Sequence, residues 1–168
     1  MKKKGFTVWE LILSLLILGI LLALLIPLFL KAKEKATQKS TMADMIMWSE
    51  AIMCYISEHS IAPTNPRGKM HFKKKIIKEV SPYLKAVRII DWWENPFLIW
   101  TGNGIRQYGI ITHDEKEFII VSFGYNKWME GWKYDPTDPE AGFFKVKDFE
   151  DFDKDLVLWN NRFIRCPK

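Results

Sequence analysis

Eight carboxylates crowd one stretch of the chain. Between Lys133 and Asp155, "KYDPTDPEAGFFKVKDFEDFDKD" carries Asp135, Asp138, Glu140, Asp148, Glu150, Asp151, Asp153 and Asp155. Hard oxygen ligands gathered in a turn-rich loop suit calcium, which takes about six to eight of them. A solvated loop neutralised by Lys133, Lys145, Lys147 and Lys154 is the other reading, since the Asp-x-Asp-x-Asp-Gly pattern of an EF-hand is missing. Other chemistry is sparse. His59, His71 and His113 are scattered and form no His-x-x-x-His pair for zinc. Cys54 and Cys166 lack metal-type spacing and stand either as a pair that an exported protein could oxidise or as two separate thiols. Without a Gly-x-Ser-x-Gly elbow, a Walker loop or a Gly-x-Gly-x-x-Gly turn, nothing proposes a nucleophile or base, and the expectation is a protein that is not an enzyme. One residue stays odd: Glu10, in "KKKGFTVWE", sits at the head of a run with no further charge until Lys31.

The elements that must position these groups start with that run. Leu11 to Leu30 is apolar except for Ser14 and Gly19, and only Pro27 departs from helix chemistry. Twenty helical residues span roughly 30 Å, the thickness of a bilayer core. A cleaved secretory signal would be shorter and end in an Ala-x-Ala-like site; here the chain continues as "KAKEKATQKS", so a retained helix is expected. Lys2, Lys3 and Lys4 place its start in the cytoplasm and the bulk of the chain outside. A carboxylate there is tolerable when it reaches the headgroups or when an opposite charge meets it.

The chain has 168 residues and a formal charge of +5, which invites a nucleic-acid partner. The lysines argue otherwise. Lys2 to Lys4 lie before the apolar run, Lys31, Lys33, Lys35 and Lys39 follow it, and Lys73 to Lys75 form one short cluster, so they flank a membrane and solvate helix faces. No nucleic-acid partner is expected.

Beyond Leu30 the sequence lacks Gly and Pro until Pro63. Met42, Met45, Ile46, Ile52, Met53 and Ile56 recur at helical spacing, so the helix is expected to continue to about Glu58 as an amphipathic stem. A short basic helix is expected over 72–84. Short β-type runs follow at 97–101, 107–112, 118–123, 156–159 and 162–165, with turns at "THDEKEF" and Asn160-Asn161. The expected architecture is α+β: a long N-terminal helix packed on an antiparallel meander with one buried face, which the stem covers.

"KKKGFTVWELILSLLILGILLALLIP" resembles the class III signal of type IV pilins and type II secretion pseudopilins. Gly5, Phe6, Thr7, Glu10 and Pro27 fall where that pattern has them, and Trp9 stands where a smaller aliphatic residue is usual. "DWWENPF" is similar to the Asp-Pro-Trp-Gly-Asn-Pro-Tyr segment of major pseudopilins, retaining Asp91, Trp93, Asn95 and Pro96. "FIIVSFG", the acidic loop and "DLVLWNNRF" resemble their strand, calcium loop and closing hairpin.

The resemblance implies a pilin fold divided into a leader (1–5), a transmembrane or fibre-core helix (6–30), a stem (31–60) and a globular region (61–168). It implies cleavage between Gly5 and Phe6 by a prepilin peptidase, methylation of the Phe6 amine, and assembly of many copies into a fibre. The fibre would form with minor pilins or pseudopilins on a platform in the bacterial inner membrane. Glu10 of one subunit would meet the Phe6 ammonium of another, and Pro27 would mark where the helix kinks or unwinds. It also implies calcium held through Asn126, Asp151, Asp153 and Asp155, although Lys127 stands beside the first of these. A membrane-anchored extracytoplasmic binding module that never polymerises is the alternative.

Overall fold

One helix, α1, runs from Val8 to His59, against an end expected at about Glu58 from periodicity. The computed structural model describes residues 7–63, 74–84, 88–112 and 114–168. The expectations for Gly5, Phe6 and the leader lysines, and for His71 and His113, lie outside that set. Pro27 is inside α1, and the helix continues past it.

The chain divides into two units, 1–36 and 37–168. In the first, the large apolar side chains from Leu11 to Leu30 are between 46 % and 72 % exposed, so none of the described residues buries them. This is the one described helix long and apolar enough to cross a membrane.

In the second unit the character of α1 changes. Gln38, Thr41, Met45, Trp48, Ser49 and Ile52 are buried at spacings of three and four, the stripe of an amphipathic helix. That stripe packs against a sheet. The order is β1 (Leu98–Thr101), β2 (Phe118–Ser122), β4 (Leu156–Trp159), β5 (Arg162–Pro167) and, at the edge, β3 (Phe143–Phe144). The first four strands pair antiparallel, with a bulge between Val157 and Leu158. The edge strand does not: β3 runs parallel to β5, with Phe143 opposite Cys166 and Phe144 opposite Pro167. The α+β class stands, but the sheet is mixed and not the antiparallel meander expected.

The expectation of one buried face is also corrected, because all five residues of β2 are buried. One face, with Phe97, Ile99, Phe118, Ile120, Leu156 and Leu158, meets Met45, Trp48 and Ile52 of α1. The short helix α2 (Lys74–Val80) adds Ile76 and Val80 to that layer and ends in a 3-10 turn over Ser81–Tyr83. The other face, with Leu98, Trp100, Ile119 and Val121, is covered by Ile105 and Tyr108 and by Trp132 and Tyr134 of the long loop after β2. Side chains alternate along a strand, so each of β1 and β2 supplies both layers in turn.

Residues 107–112, expected as a strand, contain none. A 3-10 helix covers Gly102–Tyr108 and ends at Gly109, which has φ +79. The turn at Asn160-Asn161 is as expected, with φ of +42 and +67, the positive values that a two-residue hairpin loop requires.

Candidate functional site

Thr7 is the N-cap of α1 and Glu10 its third helical residue. The Thr7 amide donates to Glu10 Oε2 at 2.9 Å, the Thr7 hydroxyl donates to the same oxygen at 2.8 Å, and the Glu10 amide donates to Thr7 Oγ1 at 3.3 Å. This is a reciprocal capping box, satisfying donors that a helix start otherwise leaves unpaired. The Thr-x-x-Glu signature that announces it is plain in the sequence. Negative charge is also favoured at a helix N-terminus by the backbone dipoles. A carboxylate accepts at about four positions, so two bonds to one oxygen leave room for a cationic partner. The side chain is exposed and oriented.

The acidic segment is organised differently from a single chelating loop. Asp151 Oδ2 accepts the amides of Lys147 at 2.7 Å and Asp148 at 2.9 Å, while Oδ1 meets Lys154 Nζ at 2.6 Å. The Lys154 hydrogen bond, with those amides, holds its pKa down at about 2. Its work is to cap the 3-10 helix Phe149–Asp153. Asn126 Oδ1 accepts the Trp128 amide at 2.9 Å, and Asp135 Oδ1 accepts the amide and hydroxyl of Thr137. Gly124, at φ +68, lets the chain after β2 pass so close to the acidic segment that a Cβ would lie 2.5 Å from the Phe152 carbonyl oxygen.

Asp153 and Asp155 stand apart. Each has a buried Oδ1 without a hydrogen-bond partner. Asp155 Oδ2 accepts the Glu130 amide at 3.2 Å, the Asp155 amide donates to Glu130 Oε2 at 3.3 Å, and Arg165 Nη2 donates to that same Glu130 oxygen. Arg165 is itself buried, 5.1 Å from the Trp132 ring and 5.6 Å from that of Phe144. Burial, more than the neighbouring Glu130 charge, pushes the Asp155 carboxyl up to about 7. Of the four expected calcium ligands, Asp153 and Asp155 thus keep an unused buried oxygen, whereas Asp151 and Asn126 are already engaged. Among the described residues no group of three or more His, Cys, Asp or Glu side chains is placed to hold a metal ion. Nothing in the composition of the loop pointed to Glu130 or Arg165, whose roles depend on pairing across 25 and 35 residues.

The raised Asp155 has a signed consequence. Folded Asp155 holds its proton up to about pH 7, whereas an ordinary aspartate gives it up near 3.8, so the native state binds more protons between those values. Stability is therefore fully present below that window and declines as pH rises through it. Asp91 is also raised by burial and acts in the same direction. Lowered Asp151 acts oppositely, but only at pH below the ordinary aspartate value. Asp155→Asn is expected to reduce the fall in melting temperature between about pH 5 and about pH 8, measured by circular dichroism. An unchanged slope would remove Asp155 from that role.

"DWWENPF" forms a polar knot. Asp91 is fully buried; Oδ1 accepts the amides of Trp93 at 2.9 Å and Asn95 at 2.8 Å, and Oδ2 accepts the Ser122 hydroxyl at 2.6 Å. Asn95 Nδ2 donates both to Asp91 Oδ2 and to the Gly124 carbonyl. On the stem side, Thr41 Oγ1 accepts the Trp92 amide and Asp44 Oδ2 accepts the Trp92 indole N–H at 2.9 Å. The knot joins helix, loop and the end of β2. It is a positioning device, with every Asp91 oxygen in use.

Cys54 is exposed on α1 and Cys166 buried in β5, and both are free thiols. Burial pushes the Cys166 thiol up to about 11, so it is protonated and unreactive at neutral pH. No protein-family model, no curated protein and no solved structure matches the chain. Function must be argued from these residues.

Proposed function

We propose that the chain is a structural subunit of a pilus-like fibre, a pseudopilin of a type II secretion system or a type IV pilin. One observation carries the reading: Glu10 is fixed by Thr7 at the head of a twenty-residue, largely apolar run that the described residues leave uncovered. Such a surface needs a cover, and two can serve in turn. Lipid covers it while the chain spans the inner membrane, and neighbouring copies of the same helix cover it after assembly. In the second setting water is excluded, and a carboxylate is stable only beside a cation. The amine of a processed Phe6 supplies that cation. The reading therefore includes a prepilin peptidase, an assembly platform and minor subunits as partners, with residues 37–168 in the extracytoplasmic space.

Processing tests it directly. When the chain is co-expressed with a prepilin peptidase, the intact mass is expected to lack Met1 to Gly5 and to carry one added methyl group. A mass that retains Met1 to Gly5 would favour the anchored binding module that never polymerises.

Calcium would have to use the unpaired buried oxygens of Asp153 and Asp155, since no group of three or more His, Cys, Asp or Glu side chains among the described residues is placed to hold it. A calcium ion there would supply the positive charge that lets Asp155 ionise, so added calcium should raise the melting temperature more at about pH 8 than at about pH 5. Equal melting curves with calcium and with chelator would leave the loop to protons and lysines.

A further inference from the structure

Lys31, Lys33 and Lys35 follow the apolar run of α1 at once. Lys33 and Lys35 are exposed and have no ion-pair partner among the described residues. Lys31 is partly covered and Glu34 is only 6 % exposed, so the exposed charge of this turn is positive. All four lie in the unit 1–36, with the run itself. At about 1.5 Å per residue, Lys33 stands about 4.5 Å and Lys35 about 7.5 Å past Leu30. A bilayer core of about 30 Å becomes about 40–45 Å with its headgroups, which leaves about 5–8 Å for them on each side. With the run in hydrocarbon, both ammonium groups are therefore at the depth of lipid phosphates. The other end of the run fixes that depth. Trp9, 76 % exposed, precedes Glu10, and an exposed indole at a helix end settles at the headgroup level. Around the helix Lys33 and Lys35 are about 200° apart, so each meets its own lipid.

We propose that Lys33 and Lys35 bind the phosphates of two anionic phospholipids in the extracytoplasmic leaflet, before the chain enters a fibre. A zwitterionic headgroup offsets its phosphate with its own ammonium, whereas a lipid of net negative charge leaves the phosphate to the lysine. Attraction of this kind favours an anionic lipid about fivefold beside each lysine. The contact rests on the bilayer stage of the fibre reading and names the lipid class of that stage.

The test uses the full chain in phosphatidylcholine vesicles that contain a minority of phosphatidylglycerol. Spin-labelled forms of the two lipids report, by electron paramagnetic resonance, the fraction held against the protein. The wild-type chain is expected to prefer phosphatidylglycerol about twofold or more, averaged over its whole lipid boundary. Lys33→Gln with Lys35→Gln should remove about half or more of that preference, although Lys2 to Lys4 remain. Lys33→Arg with Lys35→Arg should keep it. Lys127→Gln with Lys145→Gln removes the same charge from the other unit and should change nothing; an equal loss there would make the preference a matter of net charge and overturn the contact. A vesicle-bound wild-type chain without the preference, or a preference unchanged by the Lys33 and Lys35 glutamine pair, would overturn the contact and leave the fibre reading standing. A wild-type chain that alkaline carbonate washes from the vesicles would overturn the bilayer stage and the contact with it.

Discussion

Glu10→Gln is expected to lower fibre number by about tenfold or more while leaving membrane insertion and removal of Met1 to Gly5 unchanged. The substitution is chosen for what it keeps. Glutamine at the third helical position still closes a capping box with Thr7, so the head of α1 is preserved and only the charge is lost. Glu10→Ala removes both the cap and the charge. If the carboxylate serves only the cap, glutamine should assemble as wild type and alanine should not. When it meets an ammonium between subunits, both variants fail, alanine at least as severely as glutamine. A neutral amide accepts a weaker hydrogen bond than a carboxylate and leaves the cation uncompensated where water is excluded. The loss recurs at each added subunit, which is why a modest change per contact becomes a large change in fibre number. Normal fibres from Glu10→Gln would sink the pairing argument.

Asp91→Ala is expected to be the most destabilising single change in the globular unit. It strands the amides of Trp93 and Asn95 and the Ser122 hydroxyl, all of which Asp91 now accepts. Buried donors without partners cost about 1–3 kcal/mol each, so a loss of roughly 3–5 kcal/mol is expected. That corresponds to a fall of about 10 °C or more in melting temperature. Asp91→Asn should cost much less. It keeps an oxygen for the two backbone amides, and the Ser122 hydroxyl can rotate to accept from the new amide, although Asn95 Nδ2 loses its 3.3 Å acceptor and keeps only the Gly124 carbonyl. Thermal unfolding of the full chain in detergent, followed by near-ultraviolet circular dichroism, reads both. A melting temperature unchanged by Asp91→Ala would mean that the knot does not position the loop.

The parts of this architecture that were readable from residue types are those with a local cause. A twenty-residue apolar run, the helical spacing of Met45 and Ile52, and the adjacent asparagines of a tight hairpin each depend on neighbours in sequence. The 3-10 helix over Gly102–Tyr108 also has a local signature, and its last two residues overlap the strand expected over 107–112. Ile105 and Tyr108 lie three apart, matching the three-residue turn of a 3-10 helix, and glycines at φ +51 and +79 bracket the segment. Strand β3 could not have been read, because two residues carry no periodicity and their pairing is with the far end of β5. At the candidate site, the Thr7–Glu10 box is local and legible. Asp155, by contrast, depends on Glu130 and Arg165, which no short pattern connects to it. Asp151 has the composition of a ligand, and its neighbours Lys147, Asp148 and Lys154 turn it into a cap.

The bonds that join the stem to the rest of its unit set an order of events. Trp48 reaches the Arg88 carbonyl across 40 residues, Asp44 reaches Trp92 across 48, and Asp91 reaches Ser122 across 31. A helix forms from contacts four residues apart, whereas these closures must wait for distant chain to arrive, and folding slows as such separations grow. The stem is therefore complete while Met45, Trp48 and Ile52 still face water. During that interval each new copy shows an apolar stripe to its neighbours, and closure of the Asp91 knot is what brings the loop that covers it into place.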